Sequence, residues 1–505
     1  MVISVPRIVV AAPSSGSGKT TVATGLMAAF TERGLRVSPH KVGPDYIDPG
    51  YHALATGRPG RNLDAYLCGP DLIAPLFAHG ARGARLAVIE GVMGLFDGAS
   101  GQGELASTAQ VAKLLRAPVV LVVDASSQSR SVAALVHGFA SWDPEVRIGG
   151  VILNKVGSDR HEALLRAALD ESGVPVLGVL RRAPEVVSPS RHLGLVPVAE
   201  RRVSAVESVT GMGALVRQGC DLDSLLALAD AAPPLAVDPW HPQGAPPPDP
   251  RSSNAGGAGF GSAGSSANQD SAIGSAGSSV ARGAPFGSAG SSNAGGAENA
   301  PAPAHRPVVA VAAGPAFSFL YAEHTELLTA AGAKVVVFDP LRDEALPEGT
   351  RGVVIGGGFP EVYAGELAAN EPLRKAVGEL ARSGAPVAAE CAGLLYLARS
   401  LDGSPMCGVL DADARMSDRL TLGYRDAVAV SDSVLAPAGT RMRGHEFHRT
   451  VIEPGAGAAP AWGVRAPERR VEGFVQRGVH ASYLHTHWAA EPGVARRFVE
   501  RCAQS

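Results

Sequence analysis

A segment of low complexity divides this chain and so limits the folds that it can adopt. Residues 241–305 are dominated by Gly, Ala, Ser and Pro, and the hexamer Gly-Ser-Ala-Gly-Ser-Ser begins at positions 261, 274 and 287. Such a segment cannot bury enough apolar surface to offset the entropy lost on ordering. Its repeat has no apolar face, which argues against a solenoid. We therefore predict a disordered linker over 241–305 between two domains, 1–240 and 306–505.

Both halves alternate apolar runs typical of buried strands with stretches typical of helices. In the first half, strands are predicted at 7–12, 36–42, 85–90, 118–124, 148–154 and 176–180, with helices at 20–32 and 160–171. In the second half, strands are predicted at 308–313, 334–339, 352–355 and 385–389, with helices from Phe317, near 370–382 and at 394–397. This order predicts the α/β class for both halves, with a doubly wound, mostly parallel sheet in the first half.

The composition indicates a globular protein of the cytoplasm. Of its 505 residues 46% are hydrophobic and 18% are charged, and the net charge of −3 gives no electrostatic basis for binding nucleic acid. Five cysteines without a CxxC pair argue against a disulfide framework or a zinc site. We expect no membrane span, because no apolar segment approaches about 20 residues, and no cleaved leader.

A phosphate-binding loop follows the first predicted strand. The run Ala12-Pro13-Ser14-Ser15-Gly16-Ser17-Gly18-Lys19-Thr20-Thr21 has the strand–loop–helix context of a P-loop, with Pro13 in place of its first Gly. Backbone N–H groups and the helix dipole bind phosphates in such loops. We predict ATP contacts from Ser15 to Thr21, with Lys19 at the terminal phosphates and Thr20 as a Mg²⁺ ligand. A chance Gly/Ser turn is the alternative.

Two further loops follow strands whose carboxyl ends should meet the P-loop. One runs Lys41-Val42-Gly43-Pro44-Asp45-Tyr46-Ile47-Asp48, and the other Glu90-Gly91-Val92-Met93-Gly94-Leu95-Phe96-Asp97. Ligands of α/β folds bind at this edge of the sheet, and carboxylates suit Mg²⁺. We predict Asp48 and Glu90 as Mg²⁺ ligands, and substrate contacts from Lys41, Asp45, Tyr46 and Asp97. The alternative roles are helix caps, for an Asp of the first loop and for Asp97.

The second half carries a candidate nucleophile on a strand-to-helix turn. Cys391 stands where the helix N-terminus favours a thiolate, and the next N–H, of Ala392, can stabilise an oxyanion. His485 is the candidate base, and the glycines Gly357 and Gly358 at a strand end can supply the second oxyanion donor. A buried inert thiol is the alternative for Cys391.

Together these residues resemble the cobyrinic acid a,c-diamide synthase family, which includes the hydrogenobyrinic acid a,c-diamide synthases of aerobic cobalamin synthesis. The resemblance covers nearly all of the chain outside the linker. It rests also on the runs 191–194, 316–321, 443–448 and 481–488.

The resemblance implies a P-loop domain similar to dethiobiotin synthetase and a class I glutamine amidotransferase domain. It implies a carbon–nitrogen ligase that uses glutamine, ATP and Mg²⁺ to amidate the a and c carboxylates of cobyrinic or hydrogenobyrinic acid, through an acyl phosphate and ammonia. The partners are then small molecules, not nucleic acid or a membrane, and a homodimer is a further expectation. Two alternatives stay open: a related amidotransferase for other peripheral carboxylates, as in cobyric acid synthesis, and a P-loop ATPase fused to an inert amidase-like fold.

The sequence departs from the family's glutaminase pattern at two positions. Ala389 takes the place of the first Gly of the GxCxG elbow. Class I glutaminases carry Glu two residues after the catalytic His, and here His487 stands at that position. We therefore assign a Cys391–His485 dyad and leave open whether His487 takes part in the relay.

Overall fold

The computed structural model describes residues 1–182, 190–191, 194–243 and 306–505, and a seven-stranded parallel sheet forms the centre of its first half. The strands of this half are β1 (Val2–Ile3), β2 (Arg7–Ala11), β3 (Val37–Val42), β4 (Arg61–Leu63), β5 (Leu86–Glu90), β6 (Val119–Asp124), β7 (Ile148–Val156), β8 (Val176–Arg181), β9 (Ser190–Arg191), β10 (Gly194–Leu195) and β11 (Leu235–Ala236). The order of strands in the seven-stranded sheet is β4-β3-β5-β2-β6-β7-β8.

Helices cover both faces of this sheet. They are α1 (Lys19–Glu32), α2 (Asp48–Thr56), α3 (Pro70–Gly80), α4 (Thr108–Leu114), α5 (Ser131–Trp142), α6 (Asp159–Asp170), α7 (Arg202–Gly219) and α8 (Leu222–Asp230). Strand residues alternate between two cores: Ile8 and Val10 pack with α1 and α7, whereas Val9 and Ala11 pack with α3 and α4. This alternation follows from the two-residue period of a strand and confirms the doubly wound arrangement.

The strand order brings three predicted loops together. β5 lies between β3 and β2, with Glu90 opposite Lys41 on one side and Val10 on the other. Because all three strands are parallel, the loops that follow Ala11, Val42 and Glu90 leave the same edge of the sheet. The first candidate site lies at this edge.

The second half has its own six-stranded sheet and a second, antiparallel sheet. Its strands are β12 (Val308–Ala312), β13 (Lys334–Phe338), β14 (Thr350–Ile355), β15 (Val387–Glu390), β16 (Ser400–Leu401), β17 (Ser404–Pro405), β18 (Asp413–Ala429), β19 (Arg441–Glu453), β20 (Trp462–Val464), β21 (Arg470–Glu472), β22 (Phe474–Gln476), β23 (Val479–Ser482) and β24 (His485–Thr486). The six-stranded sheet has the order β13-β12-β14-β15-β23-β22 and is parallel except for β22. The antiparallel sheet is built on the long β18–β19 pair.

Helices also flank the second sheet. They are α9 (Ala322–Ala330), α10 (Ala364–Ala369), α11 (Glu371–Ser383), α12 (Ala392–Leu397) and α13 (Gly493–Gln504), with short 3₁₀ turns at Pro360–Tyr363 and Trp488–Ala490. The carboxyl ends of the neighbouring strands β14, β15 and β23 carry the glycine loop, Cys391 and the His485 segment. The second candidate site lies there.

One predicted element begins elsewhere. The helix expected from Phe317 starts at Ala322, because the preceding backbone is extended and Phe319 exchanges both backbone hydrogen bonds with Gly357, each 3.0 Å long. Phe317 and Tyr321 bury their rings from this extended segment.

Our linker prediction concerns residues that the structure does not describe, since 244–305 lies outside the described residues. So do residues 192 and 193 of the run 191–194, on which part of the family resemblance rests. Residues Met1–Gly244 and Arg306–Ser505 pack as one compact unit, and the domain limits at 240 and 306 stay a prediction. Within the described ranges, no helix is both long and apolar enough to cross a bilayer.

Candidate active sites

The P-loop joins β2 to α1 and is shaped to hold an anion. Gly18 caps the helix with a φ of 96°, a conformation that favours glycine, and a side chain there would have to displace the amide of Asn154. Asn154 also donates from Nδ2 to the carbonyl of Ser17 at 3.0 Å, which holds the loop from the β7 side. With no acidic residue in its first turn, α1 presents N–H groups and the positive end of its dipole to this loop.

Lys19 is held inside the loop that it is expected to serve. Its Nζ donates to the carbonyls of Ser14 at 3.1 Å and Met93 at 2.5 Å, so the loop after β5 reaches across to the P-loop. Burial, helped by the nearby Lys41, lowers the pKa of Lys19 to about 8. A phosphate oxygen would offer this ammonium a charged acceptor in place of two neutral carbonyls.

Three oxygen-bearing side chains converge beside Lys19. Thr20 Oγ1 donates to Glu90 Oε1 at 2.6 Å and lies 3.3 Å from Asp48 Oδ2. Lys41 Nζ lies between the two carboxylates, 2.7 Å from Asp48 and 2.8 Å from Glu90. The far oxygen of Glu90 contacts His52 Nε2 at 2.6 Å. The predicted metal ligands Thr20, Asp48 and Glu90 are thus neighbours.

The charges of this cluster are strongly coupled. Burial by itself raises the pKa of Glu90, but Lys41 and the hydrogen bond to His52 outweigh it and hold the pKa of Glu90 well below its usual range. Burial, Asp45 and Glu90 raise the pKa of Asp48, and Lys41 opposes this rise. Burial lowers the pKa of Lys41, whereas Asp48 and Glu90 raise it above its ordinary value, and Lys41 stays charged.

Two of the predicted substrate residues shape their own loops. Asp45 Oδ1 accepts the backbone N–H groups of Ile47 at 2.7 Å and Asp48 at 3.0 Å, which starts α2. Asp97 Oδ2 accepts the N–H of Gly94 at 2.9 Å. These are the capping roles that the sequence left open, and the structure gives both carboxylates positions on loops at the sheet edge.

Tyr46 lies at the boundary between the two halves. Its ring stacks on Phe319 with centroids 5.2 Å apart, and it packs 4.6 Å from Tyr321 and 5.1 Å from His485. The loop that begins at Lys41 therefore contacts the second candidate site directly.

Cys391 occupies a sharp turn between β15 and α12. Its φ of 50° and ψ of −100° lie in a region that non-glycine residues rarely adopt, at a cost of about 1–3 kcal/mol. Its backbone N–H donates to Ser482 O at 2.7 Å, which ties the turn to β23. A side chain on Gly393 would lie 2.3 Å from Ile355 O, so the tight elbow requires this glycine. Burial raises the pKa of the Cys391 thiol well above its ordinary value.

His485 lies at the end of the strand next to that of Cys391. It is almost fully buried, and a side chain on Gly357 would meet its Cε1 at 2.4 Å, which places the ring against the glycine loop. Burial lowers the pKa of His485 to about 3, so the imidazole is neutral. The hydrogen bonds among the described residues do not include one between Cys391 Sγ and this ring.

The predicted oxyanion donors differ in how they are engaged. The N–H of Gly357 donates to Phe319 O at 3.0 Å. The N–H of Ala392, at the first position of α12, points to the sulfur of Cys391, and this contact favours the thiolate against the larger effect of burial. Gly358 is the neighbouring loop residue and ends the glycine run beside Phe317.

His487 faces a different partner from His485. Its Nδ1 accepts the N–H of Ala489 at 3.3 Å, so its proton is on Nε2, which lies 3.7 Å from Glu323 Oε2. Glu323 Oε1 accepts from Arg61 of the first half at 2.6 Å. His487 thus belongs to a buried network between the halves.

Sequence reasoning missed Arg61 and Glu323 of this network and the carboxylate beside the nucleophile. Arg61 and Glu323 are separated by 262 positions, so no local pattern joins them. Glu390 immediately precedes Cys391 and approaches His485 Nδ1 to 4.0 Å. A charged residue at the end of an otherwise apolar strand was the signal that could have found it.

Two family models match the two halves of the chain. The CobQ/CobB/MinD/ParA nucleotide-binding domain matches residues 8–196, and the CobB/CobQ-like glutamine amidotransferase domain matches residues 308–493. With the P-loop in one half and the cysteine elbow in the other, the chain is a glutamine amidotransferase with its own nucleotide-binding domain.

Relatives that match over nearly their full length indicate which family of glutamine amidotransferases the chain belongs to. A hydrogenobyrinate a,c-diamide synthase of Streptomyces coelicolor is 73% identical over 99% of this chain and 98% of its own. One of Mycobacterium bovis is 51% identical, with the same shares covered. A cobyrinate a,c-diamide synthase of Gloeobacter violaceus is 41% identical over 98% of this chain and 96% of its own. The chain belongs to the a,c-diamide synthase family that these proteins represent.

Proposed function

We propose that this chain amidates the a and c side-chain carboxylates of a corrinoid ring in cobalamin biosynthesis, using ATP and glutamine. The observation that carries the proposal is the contact of Tyr46 with His485, which joins a P-loop cluster and a cysteine elbow within one compact unit. Relatives at 73% and 51% identity are named for hydrogenobyrinate, and one named for cobyrinate is at 41%. We therefore take the cobalt-free ring as the preferred substrate.

ATP activates the carboxylate because its oxygen is a poor leaving group. In the proposed step, a substrate carboxylate oxygen attacks the γ-phosphorus, the bond to ADP breaks and an acyl phosphate forms. Lys19 and the N–H groups from Ser15 to Thr21 bind the phosphates. Lys41, held between Asp48 and Glu90, adds positive charge beside the reacting phosphoryl group.

The oxygen-rich cluster fits a magnesium ion bound with the nucleotide. Thr20, Asp48 and Glu90 present hard oxygen ligands, and Lys41 already places a cation among them. The two carboxylates and one hydroxyl would hold Mg²⁺, which neutralises phosphate charge when bound. Within the described residues no group of three or more His, Cys, Asp or Glu side chains is arranged to hold a metal by itself.

The second site is proposed to release ammonia from glutamine. Cys391 Sγ attacks the side-chain amide carbon while His485 takes the thiol proton and passes it to the leaving nitrogen. The C–N bond breaks, ammonia leaves and a glutamyl thioester remains. Water then attacks the thioester and releases glutamate. Ala392 N–H and Gly358 N–H are the proposed oxyanion donors, since Gly357 N–H is engaged with Phe319.

Ammonia then attacks the acyl phosphate, with loss of inorganic phosphate. Free ammonia is protonated in water, so a passage closed to solvent is required. Tyr46 contacts the second site, and Asp48, two residues further on, contacts Thr20 in the first. The proposed route therefore follows this one loop, and Lys41, Asp45, Tyr46 and Asp97 are proposed to contact the corrinoid at its end.

Several broader assignments remain proposals. They are the domain limits 1–240, 241–305 and 306–505, a homodimer, a location in the cytoplasm, and partners restricted to small molecules. Sedimentation of the purified chain would test the dimer.

Mass spectrometry tests the reaction itself. Hydrogenobyrinic and cobyrinic acids are each incubated with glutamine and ATP, and the molecular masses of the products are measured. The proposal expects two amidations of hydrogenobyrinic acid, at a higher rate than for cobyrinic acid. Amidation confined to other peripheral carboxylates, located by fragmentation, would contradict it.

A further inference from the structure

A carboxylate from the residue before the nucleophile faces the imidazole of His485. Glu390 Oε2 lies 4.0 Å from His485 Nδ1, and the two side chains are 10% and 2% exposed. His485 Nδ1 is buried, and the structure gives it no hydrogen-bond partner among the residues that it describes. Leaving such a buried group without a hydrogen bond is unfavourable.

Glu390 is anchored by Thr486, and a hydrogen bond from the side chain of Trp488 also favours its charged form by lowering its pKa. Its Oε1 accepts from the backbone N–H of Thr486 at 3.3 Å and from Thr486 Oγ1 at 2.6 Å. Because Thr486 is the next residue after His485, this anchor fixes the carboxylate to the strand that carries the imidazole. The other oxygen is the one that faces the ring. A movement of about 1 Å would form the hydrogen bond, and such bonds often tighten only when substrate binds.

The other nearby carboxylate serves another histidine. Glu323 Oε2 faces His487 Nε2 at 3.7 Å, and its Oε1 pairs with Arg61. His487 uses its remaining nitrogen to accept the N–H of Ala489. Neither Glu323 nor His487 is therefore placed to orient the imidazole of His485.

We infer that Glu390 is the positioning residue of the glutaminase. It accepts a hydrogen bond from His485 Nδ1–H, which leaves Nε2 to take the thiol proton of Cys391, and it stabilises the imidazolium that forms. The third member of the relay thus precedes the nucleophile instead of following the base by two residues. This inference rests on the proposed function.

The pH dependence supplies a readout that a purely structural role would not change. Burial raises the pKa of Glu390 to about 7, so the carboxylate ionises close to neutral pH and the glutaminase rate should rise through about pH 7. The titratable groups that face this pair from the surrounding elements are Tyr46, Tyr321, His324, Cys391, His445 and His448.

Glu390→Gln is the direct test. We expect kcat for glutamate release to fall at least about 10²-fold, as when the carboxylate of such a relay becomes an amide. KM for glutamine should change little, the rise near pH 7 should disappear, and amidation with saturating ammonium should stay within about twofold of the parental rate.

Glu472→Gln is the matched control. Glu472 is a buried carboxyl of the same half that accepts from Ser482 Oγ at 2.7 Å and Tyr483 N at 3.2 Å, and burial raises its pKa to about 7 as well. We expect it to lose less than about tenfold and to keep the pH profile. Glu390→Asp keeps the charge, so it should retain the rise near pH 7 at a reduced rate, which tests the idea even if the amide variant does not fold.

Three results would overturn the inference. They are a parental rate of glutamate release in Glu390→Gln, an equal loss in Glu472→Gln, and a parallel loss of ammonium-dependent amidation. If the parental chain itself shows no glutamate release that depends on Cys391, the proposed function fails instead, and the inference with it.

Discussion

Replacing Glu90 by Gln should stop ATP turnover and leave the glutaminase working. Glu90 is fully buried and contacts three donors: Thr20 Oγ1 at 2.6 Å, Lys41 Nζ at 2.8 Å and His52 Nε2 at 2.6 Å. An amide of the same shape has one acceptor oxygen and one NH₂ donor. The new NH₂ group would therefore face one of these three donors. Of the two carboxylates that contact Lys41, only one would remain.

The size of the effect follows from this geometry. At 2.8 Å and an effective dielectric constant of about 20, the attraction between Lys41 and Glu90 is about 6 kcal/mol. Asp48, 2.7 Å from Lys41 Nζ, still neutralises part of the charge of Lys41. Breaking a buried ion pair usually lowers the free energy of unfolding by about 3–5 kcal/mol, and we therefore expect a loss at the lower end, about 3 kcal/mol. For a domain of this size that lowers Tm by about 6–12 °C.

The assay is ATP hydrolysis with corrinoid present and ammonium saturating. We expect a loss of at least about 10²-fold, equivalent to about 2.7 kcal/mol in the barrier. Glutamate release from Cys391 should persist. Glu171→Gln is the control, since Glu171 forms an exposed pair with Arg130 that contributes little. ATP hydrolysis at the parental rate in Glu90→Gln would refute the placement of Glu90 at the nucleotide.

Three further predictions concern the second site and acid stability. Cys391→Ala should abolish amidation with glutamine and retain it with high ammonium; equal loss with both donors would contradict two separate sites. His487→Ala should lower glutamate release far less than His485→Ala, since His487 faces Glu323, and an equally deep loss would place His487 in the relay. Each buried histidine whose pKa is lowered should contribute stability that is full above about pH 6.5 and is lost as pH falls towards 3–4, by up to ~1.4 kcal/mol per pH unit, whereas Glu390 and Glu472, whose pKa burial raises to about 7, act in the opposite direction; urea unfolding of the parental chain and of His480→Gln at pH 7, 5.5 and 4.5 isolates the share of one histidine, and identical pH slopes in the two would contradict it. Burial lowers the pKa to about 3 or 4 in His40, His445, His480 and His485.

Much of the α/β framework could be predicted because its strands are continuous apolar runs buried on both faces. The strand expected at 118–124 is observed as Val119–Asp124, and the helix expected at 160–171 as Asp159–Asp170. The helix expected from Phe317 was wrong, because the pairing of Phe319 with Gly357 overrides local preference. The β18–β19 pair was not predicted, since few residues of β18 are buried and the buried and exposed positions do not alternate regularly along it.

The sequence by itself determined which chemical groups lie at the ends of which strands. The P-loop, the Lys41 and Glu90 loops and the Cys391 elbow are short runs whose chemistry is local, so their residue types and order indicate phosphate binding and a nucleophile. Only the tertiary structure decided which groups face each other. Tyr46 against His485, Arg61 against Glu323 and Glu390 beside the imidazole join residues from different strands and halves. Strand order and packing of the two halves set these contacts, and neither is encoded in any local pattern.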